Sequence, residues 1–287
     1  MKHYLLFQAL GDNLISLSLL EKLDERVNIL GTKDTKTIIK LLGLEESFNV
    51  RVVFDEIPAF YNIREKGFIN ALRDSLILVK YINDNHIDQI VFEKNDFRSS
   101  ILSLILTKKI VRTKNNYKNT YKNRKDNIEY IFNKNIQLAE YTLEVSKENT
   151  INRKILINPL TKRVCKNIRH KHLKYIIDEL NRNDFHICLI DIENRYQEFE
   201  GDVHSYLTNT TLDDVKELIL ISDLYIGGDS FLVHLSYYLK KNYFIVFYRN
   251  NDDFLPPNSN DNFYLKCNEL DNFEENLKSK FKKIGLI

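Results

Sequence analysis

The most constraining stretch of the chain runs from Asp223 to Leu239 and continues in Tyr243 to Phe247. A short apolar run reaches Gly227 and Gly228, the pair Asp229-Ser230 follows, and Leu232, Leu235 and Leu239 then recur at helical spacing. A second apolar run closes the unit. This order predicts a strand, a tight turn, a helix and a second strand parallel to the first. Gly227 and Gly228 let backbone approach a ligand with no Cβ in the way. Asp229 and Ser230 fall where the helix begins, with unpaired N–H groups and the positive dipole end outward, which suits a phosphate. The plainer reading is that Asp229 or Ser230 caps the helix.

At 287 residues the chain is too long for one small core and suits two domains. Its net charge of +2 implies no overall affinity for polyanions. No apolar run approaches the ~20 residues of a membrane span. The start, Met1 to Phe7, reads as a first strand rather than a cleavable signal. Cys165, Cys188 and Cys267 are far apart and odd in number, which indicates neither a disulfide frame nor a zinc site. A reducing cytoplasm is the expected home.

The first half alternates strands and helices. Strands are expected at Tyr4–Phe7, Val27–Leu30, Val52–Phe54 and His86–Phe92, and helices at Leu14–Leu23, Thr35–Leu42 and Ser99–Leu106. A longer helix has Ile69, Leu72, Leu76 and Val79 as its expected inner face. Such alternation predicts a parallel sheet with helices on both faces, where ligands bind beyond the carboxyl ends of the strands. Gly11-Asp12, directly after strand one, lies at such an end, and Asp12 reads either as a site residue or as a helix N-cap.

From Ser99 to Lys125 there is no acidic residue, while Lys108, Lys109, Arg112, Lys114, Lys118, Lys122, Arg124 and Lys125 all occur, with Tyr117 and Tyr121 among the last. The run reads as a solvated face, or as a surface for an anionic acceptor, a lipid headgroup or nucleic acid. No RRM, KH or helix-turn-helix signature accompanies it.

Residues 144–153 are polar and form the expected linker, dividing the chain into domains 1–148 and 149–287. The alternation then restarts with strands at Ile155–Ile157 and Phe185–Ile190 and a helix carrying Leu173, Ile176, Ile177 and Leu180. Thr211 to Asp214 resembles a capping box for a helix with Val215 and Ile219 inward. The tail is a last helix that packs back, with Asp271 and Glu274 at its cap and N3 positions and a Phe273, Leu277, Phe281 stripe. There is no Gly-x-Gly-x-x-Gly after strand one, no P-loop, no Gly-x-Ser-x-Gly elbow and no His-Glu-x-x-His, which weakens dehydrogenase, NTPase, hydrolase and metalloprotease readings. Asp191-Ile-Glu193 lacks the second Asp of a metal-binding Asp-x-Asp, so no metal is expected there.

Gly11-Asp12, Asn158-Pro-Leu-Thr161 with Lys166, Thr211-Leu212, and Gly228-Asp-Ser-x-x-x-His234 occur in this order and spacing. With the His86-Ile-Asp88 strand followed by Arg98-Ser99, they resemble glycosyltransferase family 9, the ADP-heptose:lipopolysaccharide heptosyltransferase family. The resemblance spans nearly the whole chain and is strongest near Asp229. It implies an α/β fold of GT-B type, two Rossmann-like domains with parallel sheets facing a central cleft, acceptor on the first and nucleotide-sugar donor on the second. It implies an inverting, metal-independent transfer with no cofactor. Asp12 would be the general base and Lys166 would neutralise the departing diphosphate. Thr161, Gly228, Asp229, Ser230, Phe231 and His234 would form the donor site, and Glu193 would grip the ribose. Gly11, Lys114, Lys118 and Lys122 would meet an anionic glycolipid or oligosaccharide acceptor. The place of action would be the cytoplasm, peripherally on the inner face of the cytoplasmic membrane, with no nucleic-acid partner.

Two departures stand out. The family usually has glycine after Asp-Ser/Thr, where this chain has Phe231, and the chain is shorter than typical heptosyltransferases. Two further readings follow from the residues: a non-catalytic paralogue that binds nucleotide or glycan and supports a partner glycosyltransferase, for which Phe231 argues and against which Asp12, Lys166 and His234 together argue, and an RNA-binding protein using residues 99–125, which requires salt-sensitive RNA affinity.

Overall fold

The computed structural model of the chain describes residues 2–92, 109–112, 121–138, 141, 143, 153–248, 255–257, 259–260, 263–266 and 272–287. The helix expected over Ser99–Leu106, linker residues 144–152 and most of the basic run lie outside them. The chain divides into two compact units, Met1–Leu138 and Ala139–Ile287.

In the first unit β1 (Lys2–Leu6), β2 (Val27–Thr32), β3 (Phe48–Phe54), β4 (Gln89–Phe92) and β5 (Lys109–Arg112) form a sheet of order β3-β2-β1-β4-β5. Every pairing is parallel. Helices α1 (Leu10–Leu20) and α2 (Lys33–Leu42) carry the chain outward from β1 to β3. A short α3 (Ile63–Lys66) and long α4 (Phe68–Asp84) bring it back to β4, and α5 (Tyr121–Phe132) follows β5. Right-handed crossovers place α4 on the face opposite α1 and α2. Leu5, Phe7, Leu30 and Phe92 pack there with Phe60, Ala71, Leu78 and Ile82. His86 takes a left-handed turn (φ 51°), so β4 starts three residues later than the expected His86.

The inner face of α4 differs from the expected one. Ile69, Leu72 and Leu76 are 83%, 46% and 53% exposed, and Val79 is half-buried, while Ala71, Asp74, Ser75, Leu78 and Ile82 are buried. The small residues let the helix sit close to the sheet. The polar ones are tolerated because Asp74 Oδ2 accepts Ala59 N–H at 2.7 Å and Ser75 Oγ donates to Ala71 O at 2.7 Å.

In the second unit β6 (Lys154–Asn158), β7 (His186–Ile190), β8 (Ser205–Leu207), β9 (Leu224–Gly228), β10 (Tyr243–Val246) and β11 (Tyr264–Leu265) form a parallel sheet of order β11-β10-β9-β6-β7-β8. Helices α6 (His170–Asn181), α7 (Leu212–Ile221), α8 (Phe231–Tyr238) and α9 (Phe273–Lys283) complete it. Both sheets start at a central strand and build outward to one side, then the other. This is the doubly wound pattern, with switch points at β1/β4 and β6/β9. The expected capping box of α7 is present: Asp214 N–H donates to Thr211 Oγ1 at 3.2 Å and Thr211 N–H to Asp214 Oδ2 at 2.8 Å. Helix α9 is capped instead at Asn272, without a side-chain bond, one residue after the expected Asp271, which lies outside the described residues. Glu274 therefore stands at N2 rather than N3.

The α9 stripe of Phe273, Leu277 and Phe281 is buried as expected. Phe281 meets Phe244 edge-on at 5.2 Å, and Phe273 stacks on His172 at 4.1 Å. Tyr248 stacks on His172 at 5.7 Å; its hydroxyl accepts Arg169 N–H at 3.0 Å and shares a hydrogen bond with His172 Nδ1 at 2.8 Å. Burial, then the charges of Lys171 and Arg169, push the His172 imidazole down to about 4 from its usual 6.5. The folded state thus refuses a proton that the unfolded chain accepts. The resulting stability is fully present above about pH 6.5 and is lost as pH falls toward 4. His172→Phe removes this linkage while keeping the ring stack. The difference in melting temperature between parent and variant is expected to shift in the variant's favour from pH 7 to pH 4.5, and a pH-independent difference refutes the linkage.

Candidate functional site

Parallel strands put all their carboxyl ends on one edge of each sheet, so the loops there collect the candidate residues. In the first unit the loop after β1 is pinned by Asn13, which is fully buried. Its Nδ2 donates to Gln8 O at 3.1 Å and to Thr35 Oγ1 at 3.2 Å, and Gln8 N–H returns a bond to Asn13 Oδ1 at 3.2 Å. Thr35 Oγ1 itself donates to Leu6 O at 2.9 Å. A Cβ on Gly31 would meet Thr35 Cβ at 2.8 Å, so glycine is what lets Thr35 close in.

That scaffold places Gly11 and Asp12 in the first turn of α1, whose N-cap is Ala9. Asp12 is therefore not the cap. Its side chain is 28% exposed and pairs with Arg124 of α5, which is fully buried. Arg124 Nη2 donates to Asp12 Oδ1 at 2.5 Å and to Gln8 Oε1 at 3.5 Å, and Nη1 to Asp12 O and Ser16 Oγ, both at 2.6 Å. Arg124 thus leaves the solvated basic surface expected of residues 99–125. Lys122, two residues earlier, is exposed. Lys114 and Lys118 lie outside the described residues.

In the second unit the loop after β6 folds on itself. Asn158 Oδ1 accepts Leu160 N–H at 3.0 Å, Asn167 Oδ1 accepts Thr161 N–H at 2.7 Å, and Thr161 Oγ1 donates to Arg163 O at 2.7 Å. The Thr161 hydroxyl is thus engaged within the loop. Lys162, Arg163, Lys166, Arg169 and Lys171 occur here with no carboxylate between Lys154 and Asp178. That acid-free stretch is a signal the sequence offered for this loop.

Lys166 Nζ lies 2.5 Å from Asp229 Oδ2, and both side chains are mostly buried. The pair joins the loops after β6 and β9, at the switch point of the sheet. Ser230 occupies the N-cap of α8 with extended backbone and makes no side-chain capping bond, so Ser230 does not cap the helix through its side chain. Phe231 is half-buried and His234 is buried in the helix behind them.

The two glycines are used differently from the expectation. A Cβ on Gly227 would fall 2.2 Å from the Tyr225 hydroxyl, and one on Gly228 would fall 2.8 Å from both Lys166 O and Thr161 Cγ2. Their missing side chains admit the Tyr225 ring and the 161–166 loop, so the close approach is by protein atoms. After β7, Asp191 is fully buried and its Oδ2 accepts Tyr196 N–H and the Tyr206 hydroxyl, both at 2.6 Å. Glu193 is exposed and pairs with Arg195 at 2.5 Å. Of the two carboxylates, Glu193 is the one a ligand can reach. Among the described residues no group of three His, Cys, Asp or Glu side chains is arranged to hold a metal ion.

No protein-family model and no curated protein matches the sequence. Solved structures do match in fold. E. coli heptosyltransferase WaaC with ADP-2-deoxy-2-fluoro heptose aligns at TM-score 0.68 and 13% identity, over 99% of each chain. A glycosyl transferase family 9 protein from Veillonella parvula aligns at TM-score 0.66 and 12% identity, over 100% of this chain and 93% of that one. The UDP-GlcNAc 2-epimerase of Neisseria meningitidis, bound to UDP-GlcNAc, aligns at TM-score 0.55 and 10% identity, over 100% and 94%. The chain therefore has the α/β fold of GT-B type, two Rossmann-like units, which these transferases and epimerases share.

The close contact at Gly228 yields a test. Gly228→Ala sets a methyl against a backbone carbonyl, so the loop holding Lys166 must move, at a cost of about 1–3 kcal/mol. A melting temperature lower by several degrees is expected, and an unchanged one shows that the loop yields freely.

Proposed function

We propose that the chain is a glycosyltransferase moving a sugar from a nucleoside-diphosphate sugar to a hydroxyl of an anionic bacterial surface glycan, of the lipopolysaccharide or lipooligosaccharide core type. The observation that carries this reading is the Lys166–Asp229 pair at the β6/β9 switch point, beside the start of α8. A cation, a helix N-terminus and an acid-free loop together form an anion site, where the donor's diphosphate is taken up. The neighbours in fold that hold ADP or an ADP-sugar support an adenosine diphosphate donor. The work is placed in the cytoplasm; no helix among the described residues is long and apolar enough to cross a membrane.

In this reading the acceptor oxygen attacks the anomeric carbon from the side opposite the phosphate, and Asp12 takes its proton. The bond from that carbon to the β-phosphate oxygen breaks with inversion, and the diphosphate leaves with the electron pair. Lys166, a point charge on a flexible stem, turns from Asp229 toward the developing charge. Lys166 and the α8 dipole supply the compensation that a metal ion would otherwise give. Asp229, released, is left to accept a donor hydroxyl, and Glu193 serves the ribose. Arg124 acts through Asp12 by fixing its carboxylate. Gly11, Lys114, Lys118 and Lys122 serve the acceptor.

The non-catalytic alternative keeps one observation in its favour. Phe231 follows Ser230 where the resembled family has glycine, and Asp229 already holds Lys166. The two readings separate in one experiment. A melting-temperature panel with ADP, UDP and their sugars identifies the donor, since binding stabilises by mass action. Transfer is then measured with the donor that binds. Asp12→Asn keeps an acceptor oxygen for Arg124, so the fold holds; turnover is expected to fall about 10²-fold or more with nucleotide affinity unchanged. Arg124→Lys keeps the charge but loses the fork, and is expected to lower turnover about tenfold at unchanged donor affinity. Near-normal turnover in Asp12→Asn refutes the base assignment. Nucleotide binding with no transfer from any donor establishes the non-catalytic reading.

A further inference from the structure

Among the described residues, three α-helices follow a Ser or Thr N-cap, and their hydroxyls are used in two ways. Thr32 before α2 and Thr211 before α7 each accept the N–H three residues on, from Thr35 at 3.3 Å and from Asp214 at 3.2 Å. Ser230 before α8 has similarly extended backbone, φ −142° and ψ 175°, yet makes no such bond. A serine in this position ordinarily turns its oxygen onto its own helix. Here Ser230 Oγ is buried and has no close hydrogen-bond partner.

What lies inward of it is Tyr225. The ring, wholly buried, runs along β9 over Gly227, where a Cβ would fall 2.2 Å from the phenol oxygen. That course carries the hydroxyl toward the carboxyl end of the strand, and the Ser230 hydroxyl stands beside it. The phenol oxygen has no close hydrogen-bond partner either. Burial pushes the phenol well above its usual range, more than the neighbouring Ser230 hydroxyl draws it back, so it stays a neutral donor at physiological pH. A fully buried hydroxyl without a close bond is costly, and this one sits beneath a helix N-terminus.

We infer that Tyr225 is a positioning residue of the donor site: its hydroxyl keeps Ser230 Oγ off the first-turn N–H groups of α8, which are thereby left to a diphosphate. The inference rests on the donor reading above and adds a residue to it. A cap oxygen and a phosphate oxygen compete for the same N–H groups. With the phenol hydroxyl present, the inward place is polar and Ser230 Oγ is tolerated there. Against a bare phenyl ring it would be a buried hydroxyl in apolar company, which is unfavourable. Rotation about one bond would then bring it to the capping position that Thr32 and Thr211 use. The helix gains a cap and the anion site loses donors. Gly227 belongs to the same arrangement, because a side chain there collides with the phenol.

The test compares the full parent chain, Tyr225→Phe, and Tyr225→Phe joined to Ser230→Ala, each titrated with ADP and with UDP. Phenylalanine keeps the ring and removes only the hydroxyl. Unliganded Tyr225→Phe is expected to melt about 2 °C above the parent, since it gains a cap and loses a buried hydroxyl without a close bond. Its affinity for the diphosphate that the parent binds is expected to fall about fivefold. Adding Ser230→Ala removes the competing oxygen and is expected to recover most of that loss. A merely structural hydroxyl behaves otherwise: stability and affinity fall together, and the second substitution recovers nothing. Either of those results overturns the inference. So does a Tyr225→Phe variant that binds like the parent, which leaves the donor reading standing. A parent that binds neither ADP nor UDP overturns the donor reading and this inference with it.

Discussion

Parallel backbone pairing is the constraint on which the rest of this molecule depends. Every strand pair in both sheets runs the same way, so no two neighbours can be joined by a hairpin and each connection must cross over the sheet. Helices then cover both faces, and the central strands become continuous apolar runs such as Leu5–Phe7, Ile155–Ile157 and Leu224–Ile226. All strand carboxyl ends gather on one edge. The loops after β1, β6 and β9 therefore stand at switch points, and polar side chains confined to those loops are at once the least structural and the most available for chemistry.

Two ion pairs occupy those loops, and they differ in kind. Arg124 spreads its fork over acceptors on Gln8, Asp12 and Ser16 in a fully buried place, so it is bound by several bonds at once and desolvation punishes its departure. Lys166 reaches the carboxylate of Asp229 through a flexible stem. A rigid guanidinium suits holding a carboxylate in one orientation. A single ammonium suits exchanging one anion for another. The difference between the two cations thus parallels the roles assigned to Asp12 and Lys166.

The elements were largely legible in the sequence because period and composition decide them locally: the apolar runs, the Thr211–Asp214 box and the α9 stripe needed no tertiary information. What surrounds the site was not. Arg124 lies in a run of lysines, and charge alone does not distinguish a solvated lysine from an arginine whose acceptors are supplied by residues 8 to 16. Asn13, Thr35 and Gly31 carry no motif, and their value appears only when three loops meet. Gly227 and Gly228 announced a close approach, which the sequence assigns to a ligand; in the structure Tyr225 and the 161–166 loop take that space.

Helix α4 shows the limit of periodicity most clearly. Its sequence holds two candidate inner faces: Ile69, Leu72, Leu76 and Val79, or Ala71, Asp74, Ser75, Leu78 and Ile82. The first is the more apolar, and in an isolated helix burying it gains more, at roughly 25 cal/mol per Å². The second wins because it is smaller where the helix meets the sheet, and because Ala59 N–H and Ala71 O are placed to satisfy Asp74 and Ser75. Close packing against Leu5, Leu30 and Phe92 outweighs the extra apolar area of the other face. Periodicity reports that a helix has an apolar side; only the shape and hydrogen-bonding capacity of the opposing surface decide which side turns inward. An apolar side left outward in this way retains its full hydration cost in water, and that unspent free energy is available to whatever surface covers it.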